Sequence, residues 1–142
     1  MNQDEIISLA NQGIIRKRIL DKNRSESLIK ADFINADFAK MTQITDRTAT
    51  GIFREMYKAF RQLGDAKWWM LGYEPVDSHK VSMKILMSAN IEKNFKLKSL
   101  DRFRQIRNDS NYRGYLVKEK EAVEIVALWD EVSKDLVDWV KK

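Results

Sequence analysis

The chain has 142 residues, of which 44% are apolar and 33% charged, and these values are typical of one soluble globular domain with a substantial core. Its single proline and five glycines are too few for the many turns of an all-β fold, and the absence of cysteine excludes disulfides and thiolate metal sites. No apolar run approaches the roughly 20 residues that span a bilayer. The start, MNQDEIISLANQG, lacks the basic residues of a secretory signal, so we expect a cytoplasmic protein without a membrane segment.

The net charge of +5 is unevenly distributed along the chain. Residues 91–117 contain seven basic and three acidic residues, whereas residues 118–142 contain five basic and seven acidic ones. A local excess of positive charge favours phosphate or nucleic acid as a ligand. A solvated lysine-rich surface explains a patch of this size equally well.

Helical periodicity begins near the N-terminus and continues through three segments. The first helix is predicted from about Asp4 to Leu20, and the second from about Glu26 to Gln43. A third helix is capped by Thr45 or Asp46 and ends before Gly72 and Pro75. Its apolar face is formed by Ile52, Met56, Phe60 and Leu63.

The second half of the chain predicts three more helices. Asp77 or Ser78 caps the fourth, and the fifth runs from Ser99 to a terminating Gly114. The sixth, from Lys118 to Lys142, has a wide apolar face. We therefore expect an all-α, up-and-down bundle of about five to six helices, forming a single domain over residues 1–142 in which residues 1–22 are the most peripheral part.

Apolar residues beyond those needed for one face point to a homodimer. Val123, Leu128 and Val137 lie beside the main apolar stripe of the sixth helix. The adjacent Trp68 and Trp69 cannot both enter one core, because neighbouring helical residues diverge by about 100°. A second subunit would cover the surplus, although a helix packed between two others within one chain has the same pattern.

Conventional catalytic motifs are absent from the sequence. The only histidine, His79, lies in the first turn of the fourth helix, and we interpret it as a helix-start residue. One histidine without cysteine cannot form the usual zinc sites, and the scattered glycines form no phosphate loop. We expect no metal and no cofactor.

The fifth helix ends in RQIRNDSNYRGY, residues 104–115, which concentrates arginines and amides in three turns. Arg104, Arg107 and Asn111 fall within an arc of about 60° at the edge of the apolar face. This position predicts a half-buried Arg107, which requires a carboxylate, carbonyl or phosphate acceptor. The stretch is either a ligand site or a polar end of the helix in which Arg107 pairs with Asp109 or a glutamate.

The stretch LDRFRQIRNDSNYRGY, followed by a charged spacer and a long closing helix, resembles the HEPN superfamily of small helical bundles. The earlier segment REMYKAFRQLGDAKWWMLGYEPVDSHKVSMKIL is similar to the long helix, turn and following helix of that family. The resemblance covers about Glu26 to Lys142. It implies a bundle of four to five helices that usually dimerises, with the arginine motifs of two protomers meeting at the interface.

The resemblance also implies a function. Many HEPN proteins are metal-independent ribonucleases, often toxins or defence proteins, in which an arginine and a polar residue precede a histidine by four to six positions. Here Arg107 and Asn108 match the first two, but Tyr112 occupies the place of the histidine. A tyrosine, whose pKa is ordinarily about 10, is a poor proton-transfer group at neutral pH. His79 belongs to a different helix and is not interpreted as a replacement.

The sequence therefore favours a HEPN-like nucleotide- or RNA-binding subunit without efficient catalysis, acting beside a nucleotidyltransferase or within a toxin–antitoxin or defence system. One alternative is a metal-independent endoribonuclease that uses Arg107, Asn108 and Tyr112. Another is a structural protein–protein adaptor. The residues predicted to bind phosphate or RNA are Arg104, Arg107, Asn108, Asn111, Tyr112 and Arg113.

Overall fold

The computed structural model describes residues 1–142 and confirms an all-α helical bundle, with six helices and one two-stranded sheet. In chain order the elements are α1 (Gln3–Asn11), β1 (Ile15–Lys17), α2 (Lys22–Lys40), α3 (Ala49–Met70), β2 (Tyr73–Pro75), α4 (Ser78–Met87), a 3-10 helix (Asn94–Lys98), α5 (Ser99–Tyr112) and α6 (Glu119–Val140). No helix has both the length and the apolar character needed to cross a bilayer.

Helix α3 is the centre of the bundle and packs against α2, α4, α5 and α6. All four residues of its predicted apolar face are buried: Ile52, Met56, Phe60 and Leu63. The ring of Phe60 meets the ring of Trp129 on α6 edge-on, at a centroid distance of 5.1 Å. Because α3 contacts four helices, it determines how the side chains of α4 and α5 are placed relative to each other.

The first helix is shorter than predicted, which is a correction to the sequence analysis. It ends at Asn11 instead of Leu20, and Gly13 adopts a left-handed conformation with φ of 73°. The chain then forms β1, which pairs antiparallel with β2 so that Ile15 lies opposite Pro75. The strand depends on a partner far along the chain, which local periodicity does not reveal.

Residues 1–17 pack on one end of the bundle through a small second core. Ile6, Leu9 and Ile15 contact Trp68 of α3 there, together with Val81 and Ile85 of α4. The prediction that Trp68 and Trp69 do not share a core is confirmed. Trp68 is fully buried, whereas Trp69 is half-buried beneath the guanidinium of Arg24, 4.3 Å from its ring centroid.

The predicted sixth helix is confirmed as α6, and most of its apolar surplus is used within the chain. Leu128 is buried and Val137 packs against the main core, while Val123 stays exposed. These contacts place Leu128 and Val137 against the core of the same chain, and they leave the homodimer as a prediction. Gly114, with φ of 69°, follows the end of α5 as expected.

Candidate functional site: a cationic cavity

Arg107 lies on the side of α5 that faces α3. It is half-buried, as predicted, and its guanidinium carbon is 5.8 Å from the ring centroid of Tyr57. Its Nη1 donates a hydrogen bond to Asn108 Oδ1 at 3.3 Å, and no carboxylate lies within ion-pair distance. The alternative in which Arg107 pairs with Asp109 or a glutamate is therefore wrong.

Helix α3 presents three further cations to the same space. Arg54, Lys58 and Arg61 follow one another at i, i+4 and i+7, which places them along one helix face. They border a cavity of about 240 Å³ between α3, α4 and α5. The lining residues are Arg54, Glu55, Tyr57, Lys58, Arg61, His79, Arg107 and Asn111.

Two of these arginines hold the neighbouring helices in place. Arg54 Nη2 donates to the carbonyl oxygen of Ser110 at 3.0 Å, which ties α3 to the last turn of α5. Arg61 Nη1 donates to Ser78 Oγ at 2.7 Å and to Asp65 Oδ2 at 3.2 Å, which ties α3 to the start of α4. The guanidinium groups that shape the cavity are thus fixed by the fold.

The remaining two cations, Lys58 and Arg107, form no ion pair. Among the lining residues only Glu55 carries a negative charge. Four cations and one carboxylate give the cavity a net charge of +3 with a neutral histidine. A small concave space with this surplus concentrates anions, and guanidinium groups favour phosphate and carboxylate oxygens.

His79 enters the cavity from the first turn of α4. Its ring lies nearly parallel to that of Tyr57, with 6.2 Å between centroids and 13° between planes. Its Nδ1 atom is buried and has no hydrogen-bond partner. Burial, followed by the positive charges of Arg107 and Arg61, lowers the pKa of the imidazole, and Asp77 opposes this effect. Neutral imidazole is therefore the favoured form at neutral pH.

The ring of Tyr57 packs against both His79 and Arg107. Burial raises the pKa of its hydroxyl to about 12, although Arg107 and Arg61 act in the opposite direction. The hydroxyl donates to the backbone carbonyl of His79 at 3.5 Å. The phenol therefore stays protonated near neutral pH and presents a flat, uncharged surface to the two ionisable side chains.

The predicted site residues are only partly brought together. Arg107 and Asn111 line the cavity. Asn108 is not part of the lining, but its side chain accepts a hydrogen bond from Arg107. Three other residues lie outside the cavity lining: Arg104, which pairs with Asp101 at 3.3 Å; Tyr112, which is 78% exposed; and the exposed Arg113.

Sequence analysis did not identify six of the lining residues as functional: Arg54, Glu55, Tyr57, Lys58, Arg61 and His79. The spacing of Arg54, Lys58 and Arg61 at i, i+4 and i+7 predicts one basic face of α3, so this part of the site could have been predicted from the sequence. Nothing local indicates that His79 meets this face, since that contact depends on how α4 packs against α3. The interpretation of His79 as only a helix-start residue overlooked its place beside Arg107.

The structure contains no group of three or more histidine, cysteine, aspartate or glutamate side chains arranged to hold a metal ion. Together, the fold and the site define an all-α bundle with a cationic cavity at the meeting point of three helices. Comparison with known proteins finds no matching family model, no matching curated protein and no matching solved structure.

Proposed function

We propose that this protein binds the phosphate of a nucleotide or an RNA strand in the cationic cavity. The observation that carries the proposal is Arg107, a half-buried guanidinium without a carboxylate partner, beside a second unpaired cation, Lys58. A partly desolvated guanidinium is most stable when acceptor oxygens satisfy its donors. A phosphate supplies several such oxygens together with negative charge.

Besides the positive charge, Asn111 and Glu55 supply the cavity with groups that form hydrogen bonds in defined directions. The amide of Asn111 can donate to a phosphate or accept from a sugar hydroxyl, and the carboxylate of Glu55 accepts only. A carboxylate in the lining of an anion site disfavours additional negative groups there. We therefore propose a single phosphate in the cavity, with the sugar or base directed towards Glu55.

The wider setting also remains a proposal. The resemblance of Glu26 to Lys142 to the HEPN superfamily supports a homodimeric binding subunit that acts with a nucleotidyltransferase or within a toxin–antitoxin or defence system. The absence of cysteine is compatible with a reducing compartment such as the cytoplasm.

Equilibrium binding to a short fluorescent oligonucleotide tests this function. To keep any cleavage from affecting the reading, the probe is 2′-O-methyl RNA in EDTA, and AMP serves as a competitor. Arg107→Ala should weaken binding by about 10- to 100-fold, because one or two charge-assisted hydrogen bonds are lost. The matched control is Arg113→Ala, an exposed arginine outside the cavity, which should change the affinity by less than about threefold.

Equal losses in the two variants would contradict a cavity site and indicate diffuse attraction to the basic surface. The adaptor alternative makes a different prediction. Reversing the charges of Arg104 and Arg107 together would leave an adaptor's partner binding unchanged, whereas it should abolish oligonucleotide binding in the cavity. Both variants need a circular dichroism check that the helices are intact.

A further inference from the structure

A second cavity, of about 380 Å³, lies where the N-terminal part of the chain meets the end of the bundle. It shares no residue with the cationic cavity. Side chains from α1, α4 and α6 contribute to its apolar wall, which is formed by Met1, Ile6, Leu71, Ile85 and Trp139. Mostly apolar cavities of about 300 to 1,000 Å³ are typical binding sites of small organic molecules.

Lys67 on α3 is the only charged side chain in the lining of this apolar cavity. It is 8% exposed, and no carboxylate lies within ion-pair distance of it. Burial, followed by the positive charge of Lys142, lowers the pKa of its ammonium group. The chain therefore supplies no anion to stabilise this buried charge, and a bound carboxylate would do so.

The contact of Lys67 with α6 uses only part of its hydrogen-bonding capacity. Its Nζ lies 4.7 Å from the ring centroid of Trp139 and donates to the backbone carbonyl oxygen of that residue at 3.0 Å. The same oxygen also accepts from the backbone N–H of Lys142 at 3.3 Å. An ammonium group has three donors, and this contact occupies one of them. Two N–H groups of Lys67 therefore remain for a ligand beside the indole ring.

We propose that the apolar cavity binds a small carboxylic acid with an apolar body, such as a medium-chain fatty acid, and that Lys67 holds its carboxylate. One ammonium matches the single charge of a carboxylate, whereas a phosphate monoester carries nearly two negative charges at neutral pH. The side-chain amides of Gln3 and Asn90, which also line the cavity, can donate to the second carboxylate oxygen. The apolar body then packs against Ile6 and Ile85.

A ligand in this cavity should also hold α1 against the bundle. Ile6 of α1 and Ile85 of α4 belong to the small second core, which is separate from the main core of the bundle. A ligand that contacts both side chains adds apolar contact between α1 and α4. Local opening of α1 then becomes less favourable, so amide hydrogen exchange in Gln3–Asn11 should slow when the ligand is bound.

The experiment is an NMR titration of the full chain with hexanoate, hexyl phosphate, hexanol and hexylamine. We expect saturable binding of hexanoate with a Kd below about 1 mM, binding of hexanol weaker by about tenfold, and no saturable binding of hexylamine. Lys67→Met keeps an apolar stem without the charge, so it should weaken hexanoate binding by about tenfold or more and leave hexanol within about threefold. The control is Lys120→Met, at the opposite end of α6 from Trp139, which should bind hexanoate like wild type.

The comparison of probes on wild-type protein decides the proposal even if Lys67→Met fails to fold. No saturable binding of hexanoate, or equal affinities for hexanoate and hexanol, would overturn it. Tighter binding of hexyl phosphate that Lys67→Met abolishes would exclude a carboxylate as the preferred ligand. Slower hydrogen exchange around the exposed Ile34 and Phe38 of α2, with none in α1, would place the ligand on the surface instead. None of these results affects the proposed phosphate site, because the two cavities share no residue.

Discussion

Arg107 and Asp32 are both withdrawn from water, yet they reach opposite charge states. A guanidinium stays protonated in any protein environment, so Arg107 keeps its charge and needs acceptors. The Asp32 carboxyl is fully buried on α2, and neither of its oxygens has a hydrogen-bond partner. Burial, with a smaller contribution from Asp65, raises its pKa to about 9, while Arg61 and Lys58 act against this. Asp32 is therefore neutral near pH 7 and does not cancel the positive charge of the cavity.

Asp32→Asn should stabilise the protein increasingly as the pH rises. The pKa of the folded state, about 9, exceeds the ordinary value of about 4, so the folded protein retains a proton that the unfolded chain releases between these limits. The free energy of unfolding of wild type therefore decreases across this window by up to about 1.4 kcal/mol per pH unit relative to the asparagine variant. Urea denaturation at several pH values between 4 and 9 measures the difference.

The control for this titration is Asp37→Asn, which removes an exposed carboxyl from the same helix. The pH dependence of its stability gives the baseline for an aspartate-to-asparagine change on the surface of α2. A pH dependence of Asp32→Asn no larger than this baseline would show that the buried carboxyl is not held neutral.

At the level of helices, the placement of His79 depends on a close approach of α4 to α3. Gly64 on α3 lies directly against α4, and a Cβ atom there would be 2.3 Å from the backbone oxygen of Ser82. Ser82 Oγ also donates a hydrogen bond to Asp65 Oδ1 on α3. Because a backbone oxygen cannot rotate away, any side chain at position 64 must push the two helices apart.

Gly64→Ala should therefore lower the free energy of unfolding by about 1–3 kcal/mol through steric overlap. It should also weaken the phosphate site, because His79 and Ser78 move with α4. Gly51→Ala is the matched control on the same helix. A Cβ at position 51 has no atom within 4 Å, so alanine should be neutral or stabilise by up to about 1 kcal/mol. Urea denaturation of both variants distinguishes steric overlap from helix propensity, and a stabilised Gly64→Ala would contradict the close approach.

For the whole molecule, the exposed apolar surface lies on α2 more than on α6. Ile34, Phe38 and Met41 are 59%, 69% and 84% exposed and recur at i, i+4 and i+7, so they form one continuous stripe. The predicted α6 surplus is mostly covered within the chain. We therefore propose this stripe as the surface of a homodimer, which differs from the interface through the α5 arginine motif that the HEPN resemblance implies.

Phe38→Glu should convert a wild-type dimer into monomers, because it places a charge in the middle of the apolar stripe. Size-exclusion chromatography with light scattering, over a range of protein concentrations, measures the change. Phe95→Glu introduces the same change at another exposed phenyl ring and should leave the dimer intact. A wild-type protein that is monomeric throughout the range, or two variants with the same mass, would contradict this interface.

The sequence by itself determined the helical architecture. Burial along α3 and α6 repeats with the helical period, and Gly114 follows the end of α5 in a conformation that glycine favours. Both features can be predicted from short stretches of the sequence. It also identified Arg107 as half-buried. It missed the strand β1, because the partner of Ile15 is Pro75, sixty residues along the chain.

Only the tertiary structure decided which polar residues form the site. Arg107 and His79 are 28 residues apart in the sequence. They line the same cavity because α4 and α5 both pack on α3. The charge states of His79 and Asp32 were equally hidden, since they follow from burial and from neighbours on other helices. Helix formation is largely a local property of a sequence, whereas the assembly of a site and its protonation depend on long-range packing.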